Sequence, residues 1–287
     1  MKTLSIVDWR LPSELKRLWQ QPAAAVSLVV LGLIALLCLA GPWLAPHPAD
    51  ALDLAQVAVP PSLDSGHWFG TDNVGRDLFA RTLEGGRVSL LVGLLATLVS
   101  VLIGTAWGAI AGYAGARTDA WMMRAVDVLY ALPFMFLVML LMVLFGRHFA
   151  LVFVAVGAIN WLDMARIVRG QTLSLRRREF VDAARLAGLG PAAIIRAHIV
   201  PNLAGVVVVC ATLTVPQVIL VESFLSFLGL GVQEPATSWG VLVNDGAADM
   251  EVAPWALLFP AGFLATTLLC LNFIGDGLRD ALDPHGR

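Results

Sequence analysis

Lysine is nearly absent from this sequence: Lys2 and Lys16 are the only two in 287 residues. A phosphate-binding P-loop needs Gly-x-x-x-x-Gly-Lys-[Ser/Thr], because the lysine ammonium sits on the phosphates. Neither lysine follows a glycine, which excludes a Walker A site in this chain. Charge of both signs is scarce: 14% of residues are charged, against about 25% in a soluble domain. The net charge is −2, so no bulk basic surface points to nucleic acid. The three cysteines, Cys38, Cys210 and Cys270, fall inside apolar runs. They have no metal-type spacing and no even count for a disulfide framework, and read as small buried hydrophobes. His47, His67, His148, His198 and His285 are scattered, with no pair at ligand spacing. His-Glu-x-x-His and Gly-x-Ser-x-Gly are both missing, which leaves an intramembrane hydrolase without support.

What remains is apolar: 58% of residues are hydrophobic. This is the composition of an all-α, polytopic membrane protein, because a helix crosses a bilayer on roughly 17 to 25 apolar residues. Six such spans are expected, at Ala23–Leu44, Val88–Tyr113, Ala125–Phe145, Phe149–Met164, Leu203–Leu228 and Trp255–Ile274. The fourth is short and carries Asn160 and Asp163 near its end. The first is too long for a signal-peptide core of about 7 to 15 residues and reads as a retained anchor. Just before it, PSELKRLWQQ reads as a short interfacial helix with Leu15, Leu18 and Trp19 on one face. A disordered tail is the alternative there.

Lysine and arginine set the expected orientation. With the N-terminus inside, inner segments hold 15 of the 19 basic residues, and outer ones hold Arg76, Arg81, Arg87 and Arg147. Both termini are therefore expected in the cytoplasm. The domain reading is a cytoplasmic segment at 1–22, a span at 23–44, an extracytoplasmic segment at 45–87, a core at 88–274 and a cytoplasmic tail at 275–287. Residues 72–86 have a second reading, as a helix along the membrane interface.

Two features bear on packing. Gly104, Gly108 and Gly112 repeat every four residues, with Gly93, Thr97 and Ser100 extending the small-residue stripe. In lipid such stripes let helix backbones approach closely; whether the partner is this chain or another is open. On this reading Gly108→Leu should disrupt packing and Ala109→Leu, about 100° round the helix, should be milder. Pro133 and Pro216 lie inside spans, where each should kink its helix.

Ionisable groups in spans mark ion or proton pathways. The candidates are Asp127 and Asp163, near inner ends, and Glu222, in the outer half of the fifth span. Glu222 either lines a pathway or makes a structural hydrogen bond.

The stretch RRREFVDAARLAGLGPAAIIRAHIVPN, residues 176–202, is charged and helix-prone between long apolar segments. Arg178 to Leu186 reads as a helix, with Ala183, Ala184 and Ala187 leaving a flat surface. Gly188 suits the left-handed residue that ends it, and Pro191 suits the first turn of the next helix. A compact cytoplasmic knob results, able to enter a groove on another protein. A plain surface helix and a lipid-headgroup helix held by Arg176–Arg178 are the other readings.

The pattern Glu179-x-x-x-Ala183-Ala184-x-x-x-Gly188, closed by Pro201, resembles the EAA loop of permease subunits from binding-protein-dependent ABC importers. The family's usual Ile-x-Leu-Pro ending is His198-Ile199-Val200-Pro201 here, and a histidine at that point resembles the peptide and nickel branch. HWFGTDNVGRDLFARTLEGGRVSLLVG, residues 67–93, resembles the segment that precedes the core in the C-type subunit of that branch. WLDMARIVRGQTLSLRRREF, ESFLSFLGLGVQEPATSWG, EVAPWALLFPAGF and NFIGDGLRDALDP resemble the oligopeptide-importing members. The resemblance covers nearly the whole chain.

The resemblance implies a type I importer permease with a MetI-like core in a bacterial cytoplasmic membrane. Residues 165–202 would form the cytoplasmic coupling loop, with Glu179, Ala183, Ala184, Gly188 and Pro201 docking on the motor. The chain would be no enzyme and would hold no cofactor; ATP and Mg2+ would bind two partner ATPase subunits. The other implied partners are a second permease subunit, an extracytoplasmic peptide-binding protein, the peptide itself and membrane lipid. Dipeptide, glutathione or nickel cargo, and a stand-alone secondary carrier, are the alternatives.

Overall fold

A computed structural model describes residues 17–145 and 149–282. It is built of helices: α1 Pro22–Leu44, α2 Leu78–Ala114, α3 Ala116–Ala131, α4 Phe134–Phe145, α5 Phe149–Leu175 and α6 Glu179–Leu186. These are followed by α7 Pro191–Phe227, α8 Trp239–Ala248 and α9 Pro254–Leu282. No strand occurs among the described residues. Four helices, α1, α2, α7 and α9, are long and apolar enough to cross a membrane by length and composition. The expected third and fourth spans correspond to the broken pair α3–α4 and to α5, at 27 residues.

Several expected boundaries move. The second span begins at Leu78, ten residues early, because Asp77 starts the helix: its Oδ1 accepts the Ala80 N–H at 2.8 Å. Residues 78–86 are thus the first turns of a crossing helix, not an interfacial one. Asp77 is itself fixed by His67, whose Nδ1 lies 2.8 Å from Oδ2. The third span is broken rather than kinked. Leu132, crowded by Pro133, turns to extended backbone (ψ 129°) and α3 ends. Pro216 has no such effect, and α7 runs through it. The fourth span runs on from Met164 to Leu175 and the sixth from Ile274 to Leu282, so parts of the expected coupling loop and tail are helical. The segment before α7 is continuous with the span through one π turn, Ile195–Ile199, where the Val200 N–H reaches back five residues to the Ile195 carbonyl. Pro201 offers no N–H to the ladder, which favours such a shift of register.

Upstream of α1, residues 17–20 are helical. Leu18 is buried and Trp19 is exposed, so they do not share the expected face; Leu15 lies outside the described residues. Cys38 and Cys270 are buried as expected, and Cys210 is half-buried.

α2 is the hub. It packs most extensively on α5 and also touches α1, α7, α8 and α9. The glycine stripe faces α5 of the same chain. A Cβ at Gly104 would lie 2.5 Å from Met164 Cβ, one at Gly108 2.5 Å from the Ala165 carbonyl oxygen, and one at Gly112 2.7 Å from Thr172 Cβ. Those gaps are below any real carbon contact, so the backbones touch only because the side chains are absent. Gly93 extends the stripe onto α7, where its Cβ would meet Ile219 Cγ1 at 2.7 Å. Ala109, the position expected to take leucine more mildly, does not lie on an open face. It is fully buried in the cluster of Tyr113, Val168, Ile199 and Leu203.

Gly108→Leu should therefore remove the monodisperse peak in detergent size-exclusion chromatography, because overpacking against a backbone costs about 1 to 3 kcal/mol or more. Ala109→Leu should be nearly as harmful. Leu102→Ala, at a position 62% exposed, should leave the peak unchanged.

Candidate functional site

Two sites were expected, the knob at residues 176–202 and Glu222 in the membrane. They prove to be different kinds of structure.

The knob begins where α5 stops. Residues 176–178 form a turn, with Arg176 N–H on the Thr172 carbonyl at 2.9 Å and Arg178 N–H on Leu175 at 3.0 Å. Arg178 then takes an extended conformation and α6 starts at Glu179. Glu179 and Asp182 lie in the first turn and Arg185 in the last, the arrangement the helix dipole favours. The helix closes in a Schellman pattern: Leu189 N–H reaches the Ala184 carbonyl at 3.1 Å and Gly188 N–H reaches Arg185 at 2.9 Å. Gly188 has φ +82°, with nothing within 4 Å of where a Cβ would sit. Gly188 thus answers a conformational need and not a crowded one. Pro191 then opens α7.

α6 has two faces. Val181 and Ala184 are buried with Ile194, Ile199 and Leu203 of α7, Met164 and Val168 of α5, and Ala109 and Tyr113 of α2. Glu179, Ala183, Ala187 and Leu186 face out, Leu186 at 91% exposure. The expected flat surface is therefore narrower than read, since Ala184 belongs to the footing. Pro201 is half-buried, about three turns into the continuous α7 helix.

Polar contacts lock the same footing. Arg185 Nε donates to the Tyr113 hydroxyl at 3.3 Å, and its guanidinium lies 5.3 Å from the ring centre. Arg176 Nη1 donates to the Tyr113 carbonyl at 3.3 Å. The Tyr113 hydroxyl, with Asp182 beside it, favours the charged guanidinium and raises the Arg185 pKa. At the same end Arg169 Nη2 donates to Asp119 Oδ2 at 2.6 Å, Arg166 Nη2 to Asp127 Oδ1 at 2.9 Å, and the Tyr130 hydroxyl to Asp163 Oδ1 at 3.1 Å. Asp127 and Asp163, read as candidate pathway groups, are partnered between α3 and α5.

Glu222 is fully buried and far from the knob along α7. It accepts from Ser226 Oγ at 2.7 Å and Ser89 Oγ at 3.2 Å. Ser89 Oγ in turn accepts the Trp239 N–H at 3.2 Å, and Ser238 Oγ lies 3.3 Å from Ser226 Oγ. These hydrogen bonds form a knot that joins α2, α7 and the start of α8. The sequence reading missed α8 and its fully buried Trp239, whose Nε1 donates to the Thr82 carbonyl at 2.9 Å. The available signal was Ser238 before Trp239: Ser238 Oγ accepts the Val241 N–H and caps the helix. Among the described residues no group of three or more His, Cys, Asp or Glu side chains is placed to hold a metal.

Gly188→Ala should cost about 1 kcal/mol of local stability through backbone strain alone. Gly190→Ala, equally uncrowded at φ −71°, should cost far less. Hydrogen exchange of the amides of Ala187 to Leu189 separates the two: faster exchange in both variants or in neither would refute the account of the cap.

Comparison with known proteins bears on the whole chain. Residues 104–287 match the family described as "Binding-protein-dependent transport system inner membrane component". Residues 14–61 match the "N-terminal TM domain of oligopeptide transport permease C". The chain is 54% identical over 294 residues to the "Oligopeptide transport system permease protein OppC" of Escherichia coli (strain K12), covering 100% of this chain and 97% of that protein. It is 54% identical over 272 residues to the protein of the same name from Haemophilus influenzae, covering 95% and 88%. With the "Dipeptide transport system permease protein DppC" of Bacillus subtilis it shares 46% over 273 residues, covering 95% and 85%. The chain belongs to the family of binding-protein-dependent transport system inner membrane components: it is a membrane-embedded permease subunit.

Proposed function

We propose that this chain is one permease of an ATP-driven oligopeptide importer in a bacterial inner membrane, with α6 as the element that an ATPase subunit grips. The observation that carries the reading is the footing of α6. Its outer face offers Glu179, Ala183 and Leu186, while its inner face shares one apolar cluster with α2, α5 and α7. A push on the outer face therefore moves three long helices together and is not absorbed by a loose loop. The cargo reading is supported by the 54% identity over nearly the whole chain to the oligopeptide permeases of Escherichia coli and Haemophilus influenzae; the dipeptide and oligopeptide relatives from Bacillus subtilis, at 46% and 44%, do not discriminate.

In this reading two ATPase subunits bind ATP and Mg2+ and close. They pull this knob and its counterpart on a second permease, and the helices switch from inward- to outward-facing. An extracytoplasmic binding protein delivers peptide into the space between the permeases, and hydrolysis resets them. This chain contributes helices, cavity wall and the coupling contact. Glu222 holds the outer ends of α2, α7 and α8 together while they move. Gly104, Gly108 and Gly112 keep α2 and α5 moving as one body.

The test uses the reconstituted complex. Gly188→Val or Glu179→Arg should cut ATP hydrolysis stimulated by loaded binding protein, and peptide uptake, by roughly tenfold or more, the equivalent of at least one lost interfacial hydrogen bond or ion pair. Binding of loaded binding protein to the outer face should survive. Full stimulated hydrolysis in both variants would remove the coupling role.

The orientation is tested separately. Ser65, exposed in the segment between α1 and α2, should react as Ser65→Cys with an impermeant thiol reagent in intact cells. Labelling only after lysis would reverse the topology.

A further inference from the structure

A cavity of about 590 Å3 opens where α1 ends, walled by Gly41, Pro42 and the chain from Ala45 to Asp50. The start of α2 supplies Ala80, Glu84 and Arg87, and the segment before α8 supplies Pro235 and Ala236. This volume suits a small ligand. The coupling mechanism makes no use of it.

Its depth is set by α1. Twenty-three residues at about 1.5 Å each span roughly 34 Å, slightly more than the roughly 30 Å hydrocarbon core. Gly41 to Ala45 therefore lie at headgroup level. Trp43, 84% exposed on the last turn, fits that depth, because tryptophan concentrates at the membrane–water boundary.

The charges in the wall are unspent. Glu84 makes no hydrogen bond or ion pair with any described residue. Arg87 gives one N–H to the Leu39 carbonyl at 2.8 Å, and its buried Nε has no partner. The two sit three apart on α2, on one face, yet do not pair with each other. Asp50 adds a second carboxylate, and His47 completes the polar part of the wall. Prolines 42, 46, 48 and 235 make the rest of it stiff.

We infer that this cavity is a binding site for a zwitterionic phospholipid headgroup carrying a primary ammonium, that of a phosphatidylethanolamine. The phosphate would lie on Arg87, whose planar fork suits phosphate oxygens. The ammonium would donate to Glu84, with Asp50 beside it. Two carboxylates against one guanidinium disfavour a headgroup that is only anionic. A quaternary ammonium lacks the N–H that Glu84 would accept. The inference rests on the membrane-spanning reading of α1 and goes beyond the transport reading, since neither peptide nor ATP enters it.

The experiment is native mass spectrometry of the full-length chain, in the complex in which it is extracted, after exchange into mixed micelles. These hold equal phosphatidylethanolamine, phosphatidylcholine and phosphatidylglycerol. The parent should retain phosphatidylethanolamine over the other two by roughly tenfold, about the value of one charge-assisted hydrogen bond. Glu84→Gln should erase the preference over phosphatidylcholine; Glu84 has no internal polar partner, so the fold is not at risk. Arg87→Gln should lower retention of both zwitterionic lipids. No preference in the parent, or an unchanged one in Glu84→Gln, would overturn the inference. So would displacement of the lipid by added tri-alanine, which would give the cavity to cargo. Peptide transport by the same parent complex, measured alongside, tells failure of this inference apart from failure of the importer reading.

Discussion

The close approach of α2 to α5 is the contact from which the other parts take their positions. Between membrane helices burial from water drives nothing, because lipid is as apolar as leucine; van der Waals contact must hold them. Such contact grows as backbones near, and Gly104, Gly108 and Gly112 let them touch over about two turns. With these helices fixed, Tyr113 at the end of α2 and Val168 on α5 form one surface. α6 lies on that surface. At the far end of α2, Ser89 is held where it can reach Glu222 and the start of α8.

The two ends of this pair are therefore built on different principles. The α6 end is an apolar footing ringed by Arg176 and Arg185 on Tyr113. The opposite end is a hydrogen-bonded knot in a dry setting, where Glu222 satisfies the hydroxyls of Ser89 and Ser226. Around it the segment before α2 is tied by charge: Arg76 Nε donates to Asp72 at 2.7 Å and its Nη1 to Glu234 at 2.6 Å, far along the chain. Arg76 holds the Glu234 carboxyl below the usual carboxylate range. In the importer reading, a rigid outer rim and a gripped inner end leave motion to the elements between and beside them. One is the break at Leu132–Pro133, where α3 and α4 separate.

Much of this was legible in the sequence, for physical reasons that differ by element. Apolar runs longer than a bilayer declare themselves, so crossings were found even where their ends were wrong. The ends were missed because a helix does not stop at the membrane surface. Asp77 starts α2 well before the apolar run, and α5 carries on past Met164 through polar residues that still favour helix. The cap at Gly188 was legible because Leu-Ala-Gly-Leu-Gly-Pro leaves few ways to end one helix and begin another. Ala109 was expected to take leucine more mildly because it lies about 100° round from the stripe, whereas α2 is enclosed on several sides. α8 was hidden: it is ten residues long, too short to signal a crossing, and Trp239 is buried by partners from α1 and α2 that only the tertiary fold supplies. Glu222 was visible as an anomaly, but of its serine partners only Ser226 is near it in sequence; Ser89 lies on α2.

One asymmetry in the packing bears on assembly. α2 spends its small-residue faces inside the chain, on α5 and α7. α3 and α4 do the opposite: Trp121, Phe136 and Val143 are 80%, 71% and 81% exposed. They are anchored to the body at the α3 end by Asp119 and Asp127, which pair with arginines of α5. Those ion pairs are partly exposed, and such pairs contribute little to stability singly, about 0 to 1 kcal/mol. Here they fix register more than they hold weight. The pair also buries Val126 of α3 against α5 and Val138 of α4 against α2 and α7, on either side of the break before Pro133. In the importer reading, α2, α5 and α7 carry the stroke from the knob, and α3–α4 is the wall free to re-pack as they turn.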